Sequence, residues 1–559
     1  EEAAPLGAPP KNLLDGVIKA LRPRQWVKNV LVLAAPLAAG SATQIDVLLP
    51  VALAFVVFCF AASGVYLVND ALDVEAMLAF ARDKGGPALR AMTFHQRAKM
   101  LKALAQYLSQ HKEALYDLSF NTGATARDHG LDIDGGIATL FVFASKGRRE
   151  MPDGHVYLDG EVEQMSRSGQ FLGHHICTPL QGVAVHINAF NFPVWGMLEK
   201  LGPTLLAGVP AIVKPATATC YVTELAVRLM LESGLLPEGA LQFVAGGLGD
   251  MLDRLTCQDA VSFTGSADTA LKLRSNPHIL QQSVRFVAEQ DSLNASILGP
   301  DAEPGTPEFD LFVKEVHREM TVKAGQKCTA IRRVIVPKGQ EQAVIEALSE
   351  RLGKTPLGLP DDANARMSAL ASLGDRDGVR EKIAEIAREA EIVFGDPARV
   401  ELVSGDAETG AFLNPVLLHC ADPMTATAPH DIEAFGPVAT VMAYDGLDEA
   451  VTLAMKGKGS LVSSVFTNDP AVAAELVIGV APFHGRVMLG NRDSAKTSTG
   501  HGAPLAPLVH GGPGRAGGGE ELGGVRAVKH YMQRTAVQGS PEILSAITGK
   551  WVPGSPETT

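Results

Sequence analysis

Lys323-Ala-Gly-Gln-Lys-Cys328-Thr-Ala-Ile-Arg-Arg333 sets a cysteine directly after Gly-Gln-Lys, and Phe286-Val-Ala-Glu289-Gln-Asp-Ser-Leu-Asn294 sets a carboxylate upstream at the end of an apolar run. A thiolate is the strongest nucleophile among the side chains. A carboxylate held apart from it can activate the water that later releases an acyl group. The pair suggests covalent catalysis on a carbonyl, with Cys328 as nucleophile and Glu289 as base. Taken alone it is weak evidence, because most cysteines in a reducing setting are inert core residues.

Working outward, the chain reads as α/β. Residues 91–118 carry Met100, Leu101, Leu104, Leu108, Leu115 and Leu118 at helical spacing. Residues 182–187, 210–214 and 260–263 are short β-like runs separated by helical stretches such as 222–232. That alternation predicts a parallel sheet with crossover helices, the usual dinucleotide-binding architecture. No G-x-G-x-x-G fingerprint follows the first strand. A second α/β unit is expected over roughly residues 298–491. The Gly-rich run 510–524 reads as a flexible linker on composition alone.

Further motifs, in chain order, are Asn191-Phe-Pro193, Lys200-Leu-Gly-Pro203, Ile212-Val-Lys214-Pro215, Phe263-Thr-Gly265-Ser266 and Glu433-Ala-Phe435-Gly-Pro-Val438. With the Cys328 and Glu289 segments they resemble the aldehyde dehydrogenase superfamily, whose members do without the Gly-rich fingerprint. His186-Ile-Asn-Ala-Phe-Asn-Phe-Pro193 and His510-Gly-Gly-Pro-Gly-Arg-Ala-Gly-Gly-Gly-Glu-Glu-Leu-Gly-Gly524 narrow the resemblance. They are similar to the dehydrogenase half of the bifunctional ring-opening enzymes of phenylacetate degradation, over about residues 77–559. Those enzymes carry a hydratase domain after the dehydrogenase; with this chain ending at Thr559, hydratase activity is not expected.

The resemblance implies a Rossmann-type cofactor domain over 77–297, with its N-terminal strands missing. A catalytic α/β domain then spans 298–500, and an active-site segment with an oligomerisation strand spans 501–559. It implies that Asn191 and the Cys328 N–H hold an oxyanion. Gly265 and Ser266 would lie near the cofactor's pyrophosphate, and Glu433 and Phe435 at its nicotinamide ribose. Lys214 would lie near the adenosine ribose. NAD-preferring relatives often place a glutamate three residues after that lysine, and here the residue is Thr217. NADP is therefore the expected cofactor, with NAD the alternative. Ala270 stands where the family often has glycine, which weakens the expected pyrophosphate contact there.

The N-terminal part differs. Residues 47–68 form 22 consecutive uncharged positions, enough at about 1.5 Å per residue to span roughly 30 Å of hydrocarbon. A second apolar run covers 30–39, preceded by Arg22, Arg24 and Lys28, which would hold that flank on the cytoplasmic side. A buried helix of a globular core is the plain alternative. Asn69-Asp70-Ala-Leu-Asp73-Val-Glu75 offers carboxylates that can chelate Mg²⁺. With Arg22-Pro-Arg-Gln-Trp-Val-Lys-Asn29 it resembles the start of UbiA-like decaprenyl-phosphate phosphoribosyltransferases. Residues 1–76 are expected to be a membrane-helix-like fragment of such an enzyme without its second aspartate-rich motif. The seam is expected at 72–76.

A formal net charge of −13 argues against nonspecific nucleic-acid binding. The 6 cysteines lack metal-ligand spacing, so neither a metal nor a disulfide framework is expected. The leading expectation is an NADP-dependent dehydrogenase acting on an acyl-CoA semialdehyde in phenylacetate degradation. The alternatives are a benzoyl-CoA-pathway semialdehyde dehydrogenase, a truncated phosphoribosyltransferase, or an inactive chimera. The dehydrogenase part is expected in the cytoplasm, as a homodimer or higher homo-oligomer assembled through residues 528–537. Membrane association through residues 30–68 would follow if that segment is genuine.

Overall fold

A computed structural model of the chain describes residues 51–53, 55–57, 59 and 73–556. The basic motif 22–29, the apolar run 30–39, most of the run 47–68 and Asp70 lie outside the described residues. Those described within 47–68 are helical, and among the described residues no helix is long and apolar enough to cross a membrane. The chain divides into two units, residues 1–80 with 246–254 and residues 81–245 with 255–559. In the first, a helix covers residues 73–80, and its Glu75, read above as a Mg²⁺ ligand, pairs with Arg254 at 3.3 Å.

The second unit holds two parallel sheets. The first is built from β1 (Ala184–Ile187), β2 (Ala211–Lys214), β3 (Leu241–Phe243), β4 (Ala260–Thr264) and β5 (Arg285–Glu289), in the order β3-β2-β1-β4-β5. Ala184 to Ile187 are all buried, as are Ala211 to Val213. This continuous burial, in place of alternation, is what a sheet covered by helices on both faces requires. All five described strands come from residues 184–289.

The second sheet contains β6 (Asn294–Leu298), β7 (Ile331–Pro337), β8 (Glu391–Phe394), β9 (Val416–Cys420), β10 (Val438–Tyr444), β11 (Ser460–Phe466) and β12 (His484–Gly490), in the order β8-β9-β10-β7-β6-β11-β12. Only β8, at the edge, runs antiparallel. The passage between sheets therefore falls between Glu289 and Asn294, ahead of the 297/298 division read from the sequence.

The helix expected over 91–118 runs Phe94–Ser119, started by Thr93, whose side chain caps Gln96 N while Gln96 reaches back to the Thr93 N–H. Its Leu101, Leu104 and Leu108 are fully buried in the core around the first sheet. The C-terminal strand is Met532–Gly539, paired antiparallel along its whole length with Leu172–Pro179 of the same chain. The expected strand at 528–537 is thus shifted: Val528 is buried in the short helix Val525–His530, where its apolar side chain packs into the core. Gln533 to Ala536 are exposed.

In open parallel sheets ligands bind beyond the carboxyl ends of the strands. Asn188, Lys214, Gly265 and Glu289 all sit at that edge of the first sheet, facing the loops that precede β7 and β10 of the second.

Candidate active site

Cys328 stands in a loop that several buried groups hold rigid. Lys323, Ala324 and Gly325 have φ of 52°, 51° and 68°, a left-handed run that costs non-glycine residues about 1–2 kcal/mol each. A Cβ on Gly325 would lie 2.2 Å from Gly436 O, so only glycine lets this loop meet the 433–438 segment. The Arg332 guanidinium ties the two together, donating to Gly436 O at 2.5 Å and Gly325 O at 2.8 Å. The Asn294 amide donates to Cys328 O at 2.7 Å and Ala330 O at 3.0 Å, fixing the backbone on either side of the thiol.

Three groups converge on the sulfur. Asn191 Nδ2 donates to Gln326 O at 3.1 Å, which sets the amide beside the loop with a second N–H to give. Donor atoms of Glu289, Cys328 and His510 all lie within 4.8 Å of one another. His510 Nε2 is 3.2 Å from Glu289 Oε2 and 4.0 Å from Cys328 Sγ. Burial, reinforced by the Glu289 carboxylate, pushes the Cys328 thiol well above its usual pKa. Burial also works to raise Glu289 and lower His510, but their mutual attraction outweighs it. Glu289 is held below the ordinary carboxylate range and His510 is raised.

Behind Glu289 lies a second charged cluster. On the helix Trp195–Ala207, buried Lys200 Nζ lies 3.1 Å from Glu521 Oε2, 3.4 Å from Glu199 Oε1, and donates to Thr264 Oγ1 at 2.7 Å. Glu199, Glu289 and Glu521 place carboxylate oxygens within 4.8 Å of one another. Burial raises Glu199, and it raises Glu521 to about 7 against the pull of Lys200. The three carboxylates are thus close enough to one another, and to Lys200 and His510, for their titrations to be linked.

A cleft of about 770 Å³ is lined by Lys214, Gly265, Ser266, Thr269, Glu433 and Phe435. Five of the six expected cofactor residues are thus brought together. Thr217 is not: it is exposed in the turn Thr217–Thr219, beyond the lining residue Ala216. The cleft fits a nicotinamide dinucleotide. Among the described residues Glu433 Oε1 is buried without a hydrogen-bond partner, as are both amide atoms of Asn188, so polar acceptors and donors line the wall. Burial lifts Glu433 to about 7 despite Arg332 nearby. Ser266 caps the helix Ala267–Arg274, placing a helix N-terminus where a pyrophosphate would lie. Ala270 is fully buried inside that helix and is not part of the lining.

A second cavity at the thiol has Leu131, Phe192, Trp195 and Pro504 as apolar walls and Arg318 at its side. Ala189, Asn191, Thr264, Glu289 and Cys328 line both spaces. The two cavities therefore meet at the sulfur. Sequence reasoning gave no role to His510 or to Glu199, Lys200 and Glu521. For His510 and Glu521 the signal was titratable residues in an otherwise Gly-rich run, where the hairpin Val509–Gly511 with Glu520–Leu522 sets His510 directly opposite Glu521.

The model of the aldehyde dehydrogenase family matches residues 64–537, reaching upstream of the seam expected at 72–76. A 3,4-dehydroadipyl-CoA semialdehyde dehydrogenase of Aromatoleum evansii is 46% identical over 446 residues, 80% of this chain and 86% of that protein. Protein MaoC of Klebsiella aerogenes is 50% identical over 190 residues, covering 34% of this chain and 55% of that protein. A betaine aldehyde dehydrogenase of Staphylococcus aureus, solved in complex with NAD+, superposes with a TM-score of 0.72 at 25% identity, over 84% of this chain and 87% of that one.

Proposed function

The chain belongs to the aldehyde dehydrogenase family, and from that premise we propose that it oxidises an acyl-CoA semialdehyde of aromatic-compound degradation to the carboxylate, with NADP as hydride acceptor. The observation that carries this reading is the meeting of a dinucleotide-sized cleft and an apolar substrate channel at Cys328, Asn191 and Glu289. The apolar walls suit a hydrocarbon acyl chain, and 46% identity to an enzyme named for 3,4-dehydroadipyl-CoA semialdehyde favours the CoA-linked class.

Cys328 attacks the aldehyde carbon, giving a thiohemiacetal whose oxyanion is held by the Asn191 amide and the Cys328 N–H. One such donor is typically worth about 3–4 kcal/mol. The bound nicotinamide supplies the hydride acceptor. Lys214, Ser266, Glu433 and Phe435 hold and orient that cofactor along the cleft. Glu289 takes a proton from the water that hydrolyses the resulting thioester, and the Glu199–Lys200–Glu521 cluster behind it gives that proton a place to go. The reading of residues 1–76 as a prenyltransferase-like, membrane-attached fragment rests on the motifs at 22–29 and 69–75 alone. The family match extending to residue 64 favours a dehydrogenase reading there too.

Purified protein given 3,4-dehydroadipyl-CoA semialdehyde, the ring-opened phenylacetyl-CoA semialdehyde or the CoA-free aldehydes is expected to form NADPH and carboxylate only with the CoA-linked pair. Equal kcat/KM for the CoA-free aldehydes would sink the substrate class. The phenylacetate and benzoyl-CoA readings separate by which of the two thioesters gives the higher kcat/KM.

Preference for NADP rests on Lys214 at the cleft and on the uncharged Thr217, one residue beyond the lining residue Ala216. Thr217→Glu adds a carboxylate next to that lining, where it would repel a 2′-phosphate. It is expected to raise the NAD:NADP ratio of kcat/KM by about tenfold. An unchanged ratio would remove Thr217 as the discriminating position.

A further inference from the structure

His510 makes both of its close contacts through one ring atom: Nε2 faces Glu289 Oε2 at 3.2 Å and Cys328 Sγ at 4.0 Å. Its ring is buried, and the hairpin that carries it is closed by Glu520–Leu522, so the imidazole is aimed at the sulfur by the fold. We propose that His510 is a catalytic residue: as an imidazolium whose Nε2–H lies between the Glu289 carboxylate and Sγ, it stabilises the Cys328 thiolate while the sulfur–carbon bond forms. The inference rests on Cys328 being the nucleophile and is independent of which aldehyde is used.

The need for such a group is electrostatic. A buried thiol beside a carboxylate resists ionising, because the thiolate would meet a like charge in a low dielectric. If Glu289 took the thiol proton itself, it would be neutral when the water step needs a base. With the proton on Nε2, the imidazolium stabilises the thiolate and Glu289 remains a carboxylate. The charged and titratable groups facing His510 are Glu289 on β5, Cys328 in its loop, Glu199 on the helix Trp195–Ala207 and Arg486 on β12. Glu521 stands across the hairpin. The carboxylates favour the imidazolium, and Arg486 opposes it.

The thiol proton leaves to solvent through the cleft, the sulfur lone pair forms the S–C bond, and the carbonyl π pair moves to oxygen. On hydrolysis the S–C bond breaks and its pair returns to sulfur as the thiolate, beside the same imidazolium. The 4.0 Å separation is long for a hydrogen bond, as catalytic ones often are before substrate binds.

Alkylation of Cys328 by iodoacetamide tests this without any aldehyde, followed against pH by peptide mass spectrometry so that exposed Cys257 is scored separately. His510→Phe keeps a ring and loses the nitrogen. Its thiol inflection is expected to move up by about one unit or more, slowing alkylation at pH 7 by about tenfold. In His510→Ala, added imidazole is expected to restore the rate. NADPH fluorescence on binding reports whether each variant is folded. A wild-type alkylation profile in folded His510→Phe would overturn the proposal. If that variant fails to fold, the absence of imidazole rescue in His510→Ala would overturn it instead.

Discussion

Cys328→Ala is expected to lose aldehyde-dependent NADPH formation by about 10⁴-fold or more, the scale seen when the covalent nucleophile of an enzyme is removed. The two cavities share Ala189, Asn191, Thr264, Glu289 and Cys328. Of these, Thr264 and Glu289 offer other nucleophilic atoms, both oxygen. The Thr264 hydroxyl accepts a hydrogen bond from the Lys200 ammonium at 2.7 Å, which draws electron density away from it, and the Glu289 carboxylate is paired with His510 at 3.2 Å. Neither matches a thiolate as a nucleophile toward an aldehyde carbon. NADPH binding should persist, because Lys214, Ser266 and Glu433 are untouched. Turnover within tenfold of wild type would rule out the thioester route.

Glu289→Gln is expected to separate the two halves of the reaction. Acylation leaves sulfur, oxyanion donors and cofactor in place, so one equivalent of NADPH should appear as a burst. Deacylation then lacks its base, and the steady rate should fall by about 10²–10⁴. Mass spectrometry should find the acyl group on the peptide containing Cys328. Steady turnover without a burst would mean that water is activated elsewhere, with Glu199 and Glu521, a few ångströms away, the first residues to replace.

These expectations use residues of unequal visibility in the sequence. Cys328, Glu289 and Asn191 are embedded in short local motifs, and the structure brings them to one point. The helix at Phe94–Ser119 was legible because leucines at helical spacing report which face is buried, and the polypeptide's own repeat sets that spacing. Strand Asn294–Leu298 was not legible: its sequence Asn-Ala-Ser-Ile-Leu mixes polar and apolar residues, and β7 and β11 place it by pairing with it. Val528 reads as strand-forming and lies in a helix, because packing against the core overrides a weak local preference.

His510 and the Glu199–Lys200–Glu521 cluster show the same division at the level of chemistry. The alternation of strands and helices, the nucleophile and the base are properties of local sequence, so the chain alone determined them. The partner of Glu289, the gathering of three buried carboxylates and the exposure of Thr217 depend on which distant segments meet and how much water they exclude. Only the tertiary structure decided these, because a side chain's pKa and reach are set by its neighbours in space, and residues 289, 328 and 510 become neighbours only on folding.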